Sequence, residues 1–192
     1  MQIKYHGHSC FSVTSNNYVI VLDPYKGVNG FKDINLSANE IICSHSHFDH
    51  AYVDEIKITK KDSPFIVKTI KSFHDNMNGQ QRGENNITVL NVEGKTIAHL
   101  GDLGHLLDEK TINELKNIDV LMIPIGGFYT INSDEALSII NSIDPKYIIP
   151  MHYRDGNKGL DVLESIDDFV NKANTIKNKL LLVKGYEESI DI

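Results

Sequence analysis

Six consecutive residues, His45-Ser46-His47-Phe48-Asp49-His50, hold three imidazoles and a carboxylate directly behind the apolar run Ile41-Ile42-Cys43. Groups packed this densely at the end of a strand reach one edge of a sheet together. Imidazole and carboxylate are ligands for Zn²⁺, Fe²⁺ or Mn²⁺, so the cluster predicts a metal site. Further ligand types follow apolar runs elsewhere: His74 in Ser72-Phe73-His74-Asp75, Asp102 in Gly101-Asp102-Leu103-Gly104, and His152 after Ile148-Ile149-Pro150-Met151. Taken singly each is a weak signal, because a lone His is more often a surface or satisfied core residue and an Asp among glycines a turn residue. Strand ends, however, are where folds gather reactive groups on a rigid frame. Imidazoles with a carboxylate leave a coordination position open for water, as a catalytic site requires, and no Cys₄ or Cys₂His₂ pattern suggests a structural one. Cys10 and Cys43 read as small buried hydrophobes.

The elements that must position these groups are short. Phe11 to Thr14 and Tyr18 to Leu22 flank Ser15-Asn16-Asn17, a polar hairpin turn. Glu40 to Cys43, Phe65 to Lys68, Ile87 to Leu90 and Thr96 to Leu100 are further strand candidates, the last two joined by a turn at Asn91-Val92-Glu93-Gly94. The second half alternates. Leu107 to Ile118 has helical apolar spacing, Val120 to Ile125 is a strand, and Ser133 caps a helix running through Ile143 with Asp134 and Glu135 in its first turn. Pro145 stops that helix; Tyr147 to Pro150 is a strand, Ser165 to Lys177 an amphipathic helix, and Leu180 to Val183 a last strand. A meander followed by βαβ units predicts layered α/β or α+β packing with sheet inside and helices outside. These patterns leave the choice between one sheet and two open.

The 192 residues fit a single domain, 1–192, with ample core. A formal net charge of −7 argues against a nucleic-acid partner, which usually leaves a basic footprint. Two cysteines give no disulfide framework. The opening Met1-Gln2-Ile3-Lys4-Tyr5-His6 has no apolar leader core, and no run approaches the roughly 18 apolar residues of a membrane span. The expectation is a soluble cytoplasmic protein without membrane or nucleic-acid partners.

Taken jointly, His-x-His-x-Asp-His at His45 to His50, then His74, Gly101-Asp102 and Pro150-Met151-His152 resemble the metallo-β-lactamase-fold superfamily of metal-dependent hydrolases, almost from end to end. The opening Tyr5-His6-Gly7-His8-Ser9-Cys10-Phe11 and Leu22-Asp23-Pro24 look like the start of its ascorbate-6-phosphate lactonase-like branch. The resemblance implies a four-layer αββα sandwich with two divalent ions, zinc first and manganese or iron as alternatives. It implies His45, His47 and His74 on the first ion, Asp49, His50 and His152 on the second, and Asp102 between them, with Asp49 and Asp102 as catalytic carboxylates. The short His50-to-His74 spacing suggests a trimmed scaffold; His99 is a reserve for His74, more naturally a strand residue or one supporting a ligand. The implied reaction is attack by a hydroxide shared between ions about 3.5–4 Å apart on a small ester, lactone or phosphorylated metabolite.

Residues around the substrate are read from their loops. His8 in Gly7-His8-Ser9, Arg82 in Gly79-Gln80-Gln81-Arg82-Gly83, His105, and Tyr129 or Thr130 after Gly126-Gly127 are candidate substrate or proton-transfer groups; His6, Tyr153 and Arg154 are weaker ones. An Arg in such a loop grips carboxylate or phosphate bidentately. The acidic stretches at Asp161 to Asp168 and Glu187-Glu188 read as solvated surface. A phosphodiesterase or RNA-processing nuclease of the same fold is the nearest rival, disfavoured by the acidic charge and short chain. β-Lactam hydrolysis is disfavoured by the lack of an export signal, and a non-catalytic metal-binding protein by the complete ligand set. A second copy of the chain that completes the pocket is a further expectation.

Overall fold

Asn16 and Asn17 both adopt left-handed backbone, φ 50° and 59°, as the two central residues of a type I′ turn must. In the computed structural model, which describes residues 1–173, 176, 179–180 and 189–192, this turn joins the second and third strands of an N-terminal meander. β1 (Gln2–Gly7), β2 (Cys10–Ser15) and β3 (Tyr18–Leu22) run antiparallel. The chain then forms the two-residue β4 (Ser37–Ala38), β5 (Glu40–Ile42) parallel to β3, and β6 (Lys57–Ile58) parallel to β4. A second meander follows: β7 (Ile66–Phe73), β8 (Glu84–Val92) and β9 (Lys95–His99), with Glu93-Gly94 turning between the last two at φ 51° and 71°.

Beyond β9 the strands become parallel and helices carry the crossovers. α1 (Glu109–Leu115) precedes β10 (Val120–Pro124), α2 (Ser133–Ile143) precedes β11 (Tyr147–Met151), and α3 (Ile166–Ala173) precedes β12 (Lys179–Leu180). The chain returns to the first sheet with β13 (Ser189–Asp191) beside β1. The sheets are therefore a five-stranded one, β13-β1-β2-β3-β5, and a six-stranded one, β12-β11-β10-β9-β8-β7.

The two sheets share one core. Ile3, Tyr5, Phe11 and Ile20 of the first sheet belong to the same buried cluster as Leu90, Ile97, Leu121 and Ile148 of the second. Full burial of each such side chain contributes about 1.5–3 kcal/mol of transfer free energy. α2 adds Ala136, Ile139, Ile140 and Ile143 to that cluster. A smaller cluster including Val21, Tyr25, Ile34 and Ile56 covers the remaining part of the first sheet with loop and the β4–β6 pair. Among the described residues all three helices follow β9. The sheets, the alternation and the sandwich match the α/β expectation.

Local expectations shift at the ends of elements. β7 runs on to Phe73, beyond the expected Lys68, because Thr69 to Phe73 continue the pairing with β8. α1 is shorter than Leu107 to Ile118: Asp108 caps it by accepting from the Thr111 N–H, and extended backbone at Lys116 ends it. α2 is capped by Asn132 rather than Ser133, in a capping box closed by Glu135. Ser133 instead turns inward, its hydroxyl donating to Glu164 at 3.1 Å. The expected strand beyond Leu180, the end of the helix towards Lys177 and Glu187-Glu188 lie outside the described residues.

Candidate metal centre

Four loops deliver the ligand candidates. β5 ends in the segment carrying His45, His47, Asp49 and His50, β7 ends before His74, β9 before Asp102, and β11 before His152. β7 and β9 both oppose β8, and β9, β10 and β11 are parallel, so three of these loops leave the second sheet on one side. The β3–β5 parallel pair brings the fourth from the first sheet.

Asp102 stands at the middle. Its Oδ2 lies 3.2 Å from Nε2 of His50, 3.2 Å from Nε2 of His74, 3.3 Å from Nε2 of His152 and 4.0 Å from Nε2 of His45. Around it the candidate ligands form groups whose atoms lie within 4.8 Å of one another: His45, His47 and His74 in one, His8, Asp49, His50 and His152 in another, with Asp23, His45 and His50 as a third that links them. All seven predicted ligands are thus brought together, with His8 beside them.

Several of these atoms need a partner that protein does not supply. Nε2 of His45, Nε2 of His50, Oδ1 of Asp102 and both ring nitrogens of His8 are buried without a hydrogen bond among the described residues. A buried polar atom left so costs about 1–3 kcal/mol, and those of His45 and His50 converge on the Asp102 carboxylate. A divalent cation is the partner that imidazole and carboxylate lone pairs take up together, so the residues present fit a bound metal.

The supporting contacts aim the lone pairs inward. Asp23 accepts from the Ser44 N–H at 2.6 Å, the Ser44 hydroxyl at 2.6 Å and Nδ1 of His50 at 2.8 Å. With its proton given to Asp23, the Ser44 oxygen accepts from Nδ1 of His45 at 2.9 Å. One buried carboxylate therefore sets the tautomer of two histidines, leaving Nε2 of each free to coordinate. Nδ1 of His74 donates to the Tyr129 carbonyl at 3.1 Å and is fixed the same way. The Asn85 side chain accepts from the Asp102 N–H and donates to the Leu100 carbonyl, both at 2.9 Å. Gly101, at φ 56°, leaves no room for a side chain: a Cβ there would sit 2.8 Å from the Ser44 hydroxyl and against Asn85. The loops bearing Asp102 and His45 approach this closely because residue 101 is glycine.

Electrostatics follow the geometry. Burial, reinforced by the neighbouring His50, pushes the His45 imidazole down to about 3, so it is neutral and able to ligate at ordinary pH. Burial and His152 likewise push His8 down to about 4. Burial opposes the charge on His50, but Asp102 and Asp23 on its two nitrogens outweigh it and hold the imidazole well above its usual range. Burial also opposes ionisation of Asp102, and His152 and His50 more than reverse this, keeping its carboxyl well below the usual carboxylate range. A cation entering between them would displace the His50 proton.

A cavity of roughly 650 Å³ opens onto this centre, with Asp49, Asp102, His152, Arg82 and Tyr129 among its lining. His105 is not brought there: its Nε2 accepts from the Phe73 N–H at 3.2 Å and its Nδ1 donates to the Leu106 carbonyl at 2.7 Å. Thr130 is buried and bonds the Ile131 carbonyl, His6 pairs with Ser12, and Arg154 donates to the Leu163 carbonyl. His99 spans the sheets to the Ser9 carbonyl at 2.9 Å and accepts from the Gly101 N–H, which leaves it no free nitrogen. Sequence reasoning missed Asp23, Ser44 and Asn85 as ligand supports. Asp23 carried the same signal as the ligands, a polar residue directly after an apolar run; Asn85, inside a strand, carried none.

The protein-family model described as a Beta-lactamase superfamily domain matches residues 2–152. A UPF0173 metal-dependent hydrolase of Bacillus cereus is 29% identical over 223 residues, covering 94% of this chain and 96% of its own. One of Geobacillus thermodenitrificans is 28% identical over 194 residues, covering 80% and 85%. Among solved structures, a candidate Zn-dependent hydrolase of the metallo-beta-lactamase superfamily from Thermotoga maritima matches with a TM-score of 0.75 at 28% identity, covering 94% of this chain and 97% of that one.

Proposed function

Because this chain belongs to the metallo-β-lactamase superfamily, we propose that it hydrolyses a small ester, lactone or phosphorylated metabolite with two divalent ions at this centre. The observation that carries the reading is the position of Asp102 Oδ2, within 3.3 Å of His74 from one ligand group and of His50 and His152 from the other. A carboxylate so placed suits a bridge between two cations. In this reading His45, His47 and His74 hold the first ion and Asp49, His50 and His152 the second. Zinc is the ion these donors favour, with Mn²⁺ and Fe²⁺ accepted by the same set. When bound, the ions would supply a water of lowered pKa and polarise a scissile carbonyl or phosphoryl oxygen.

The chain's own groups do the rest. Asp49, half-buried on the cavity wall, is held well below the usual carboxylate range: burial opposes this, and the neighbouring His8 ring and the charge on His50 reverse it. It is placed to orient the attacking water. His8 positions Asp49 in turn. Its Nε2 lies 3.4 Å from Asp49 Oδ2, its ring packs 4.3 Å from that of His152, and its carbonyl accepts from the His152 N–H at 2.8 Å. It sits at φ 53°, a conformation costly for a non-glycine residue and retained where a site needs it. His8→Asn, which tolerates that backbone, is expected to weaken uptake of the second ion about 10-fold or more. Calorimetric metal titration would read this, and unchanged uptake of both ions would remove His8 from the account.

The opening motif around His8 also supports lactone and other carbonyl substrates, through the lactonase-like branch it resembles. A cytoplasmic setting is part of the reading: both cysteines are free, and no helix among the described residues is long and apolar enough to cross a membrane. The test is a panel of esters, lactones and phosphodiesters assayed with Zn²⁺- or Mn²⁺-loaded protein. Turnover of at least one class, lost on chelation and restored by metal, is expected. Turnover indifferent to chelation, or none by a fully loaded protein, would overturn the hydrolase reading; the latter favours a binding protein.

A further inference from the structure

We propose that the substrate is bipolar, carrying an oxyanion on one side of the scissile bond and an apolar group on the other, with Arg82 as the anion anchor. The proposal rests on the hydrolase reading above and narrows its substrate class. The cavity over the metal centre has two unlike ends. Arg82 marks the first: it lines both the main cavity and an adjoining one of roughly 260 Å³ that it shares with His45 and His47. It therefore stands at the end nearer the first ligand group.

Arg82 is held in place before any ligand arrives. The backbone N–H groups of Gln81 and Arg82 donate to Asp75 Oδ2 at 2.9 and 2.8 Å, and those of Met77 and Gly79 to Oδ1 at 2.8 and 2.9 Å. One carboxylate thus gathers the whole loop after His74. The guanidinium lies over the Tyr129 ring, 5.5 Å from its centre, and Tyr129 is itself bound through its carbonyl to His74. Among the described residues the guanidinium forms no ion pair with a carboxylate. A half-buried cation on a braced loop beside a site that gathers divalent cations is repelled by them. An oxyanion between the two relieves that repulsion and matches the planar fork of arginine.

The other end is apolar. Val28, Phe48 and Leu160 line the main cavity but not the adjoining one. The loops of Val28 and Leu160 are joined by a hydrogen bond from the Gly159 N–H to the Asn29 carbonyl at 2.9 Å. Phe48 lies between two candidate ligand residues and is 71% exposed, so among the described residues most of its ring surface is uncovered. Apolar walls with a few fixed polar groups are the usual make-up of a small-molecule site, and the volume falls within the range of roughly 300–1,000 Å³ that such sites span.

Three chromogenic esters with one leaving group, the anionic ones with a spacer too long for the anion to attack its own ester, test this on the Zn²⁺-loaded protein: 4-nitrophenyl hexanoate, mono-4-nitrophenyl adipate and 4-nitrophenyl 5-phosphonopentanoate. The anionic esters are expected to exceed the neutral one in kcat/KM by about tenfold or more, and the faster of the two identifies carboxylate or phosphate as the anion. Arg82→Gln should bring the anionic-to-neutral ratio close to one, chiefly through KM, and Arg82→Lys should retain part of it. A binding measurement runs independently of turnover: 4-phenylbutyrate should raise the Tm of the loaded wild type, and much less that of Arg82→Gln or Val28→Asp. Equal kcat/KM for all three esters, or a ratio unchanged in Arg82→Gln, would overturn the proposal while leaving the hydrolase reading intact. If no ester is turned over, the thermal shift decides alone: a shift lost in both variants supports the bipolar site, and no shift in the wild type overturns it.

Discussion

Asp102→Asn is expected to lower hydrolytic turnover by at least about 10³-fold, the equivalent of several kcal/mol of lost transition-state stabilisation, with the fold retained. The side chain keeps its volume and its backbone N–H still bonds Asn85, so packing is undisturbed. What changes is charge. Asp102 Oδ2 approaches Nε2 of His50, His74 and His152 within 3.3 Å, and a neutral amide there neither offsets two cations nor fixes their separation. The variant should show a far-UV spectrum and Tm near those of the wild type and a smaller metal content. Retained turnover together with full metal loading would sink the bridging role of Asp102.

The second large effect is expected one step behind the ligands. Asp23→Asn should weaken metal affinity by roughly 10- to 100-fold, as loss of a ligand's hydrogen-bond partner typically does. Asp23 accepts three hydrogen bonds, from the Ser44 N–H, the Ser44 hydroxyl and His50 Nδ1, and an amide has only one oxygen for them. Its NH₂ would face a donor, and the Ser44 hydroxyl would be freed to donate to His45 Nδ1 and turn that ring's tautomer. Both Nε2 atoms would then lose their aim, on His45 in one ligand group and His50 in the other. A coordinated weakening of both binding steps in a metal titration is therefore the signature. Loss of one step alone would mean that Asp23 supports only His50.

The candidate ligands were legible in the sequence because their spacing is unusual for a loop: four side chains able to coordinate a metal within six residues have no packing purpose. His74, Asp102 and His152 were legible only jointly, since each follows a strand and their meeting depends on strand direction. Element types were legible where apolar runs were long, as in Val120 to Ile125. The closing strand β13 was not, because Ser189–Asp191 is a short polar-flanked edge whose only signal is its pairing with β1. β7 was partly legible: its Thr69 to Phe73 extension is strand through pairing with β8 rather than through apolar alternation, and most of the strand's residues are exposed. Around the cavity, Arg82 and Tyr129 were legible as loop residues of the right chemistry. His105 has that chemistry too, but its ring closes a local contact between Phe73 and Leu106, which no sequence pattern announces.

The central claim is a hydrolytic centre that uses two ions, and its most direct test is stepwise reloading. Chelator-stripped protein is titrated with Zn²⁺ while bound metal per chain and turnover of a substrate from the ester and lactone panel are followed together. The account predicts that turnover rises with uptake and reaches its plateau as the second equivalent binds. Full turnover by stripped protein, or a plateau after a single equivalent with no further uptake, would contradict it.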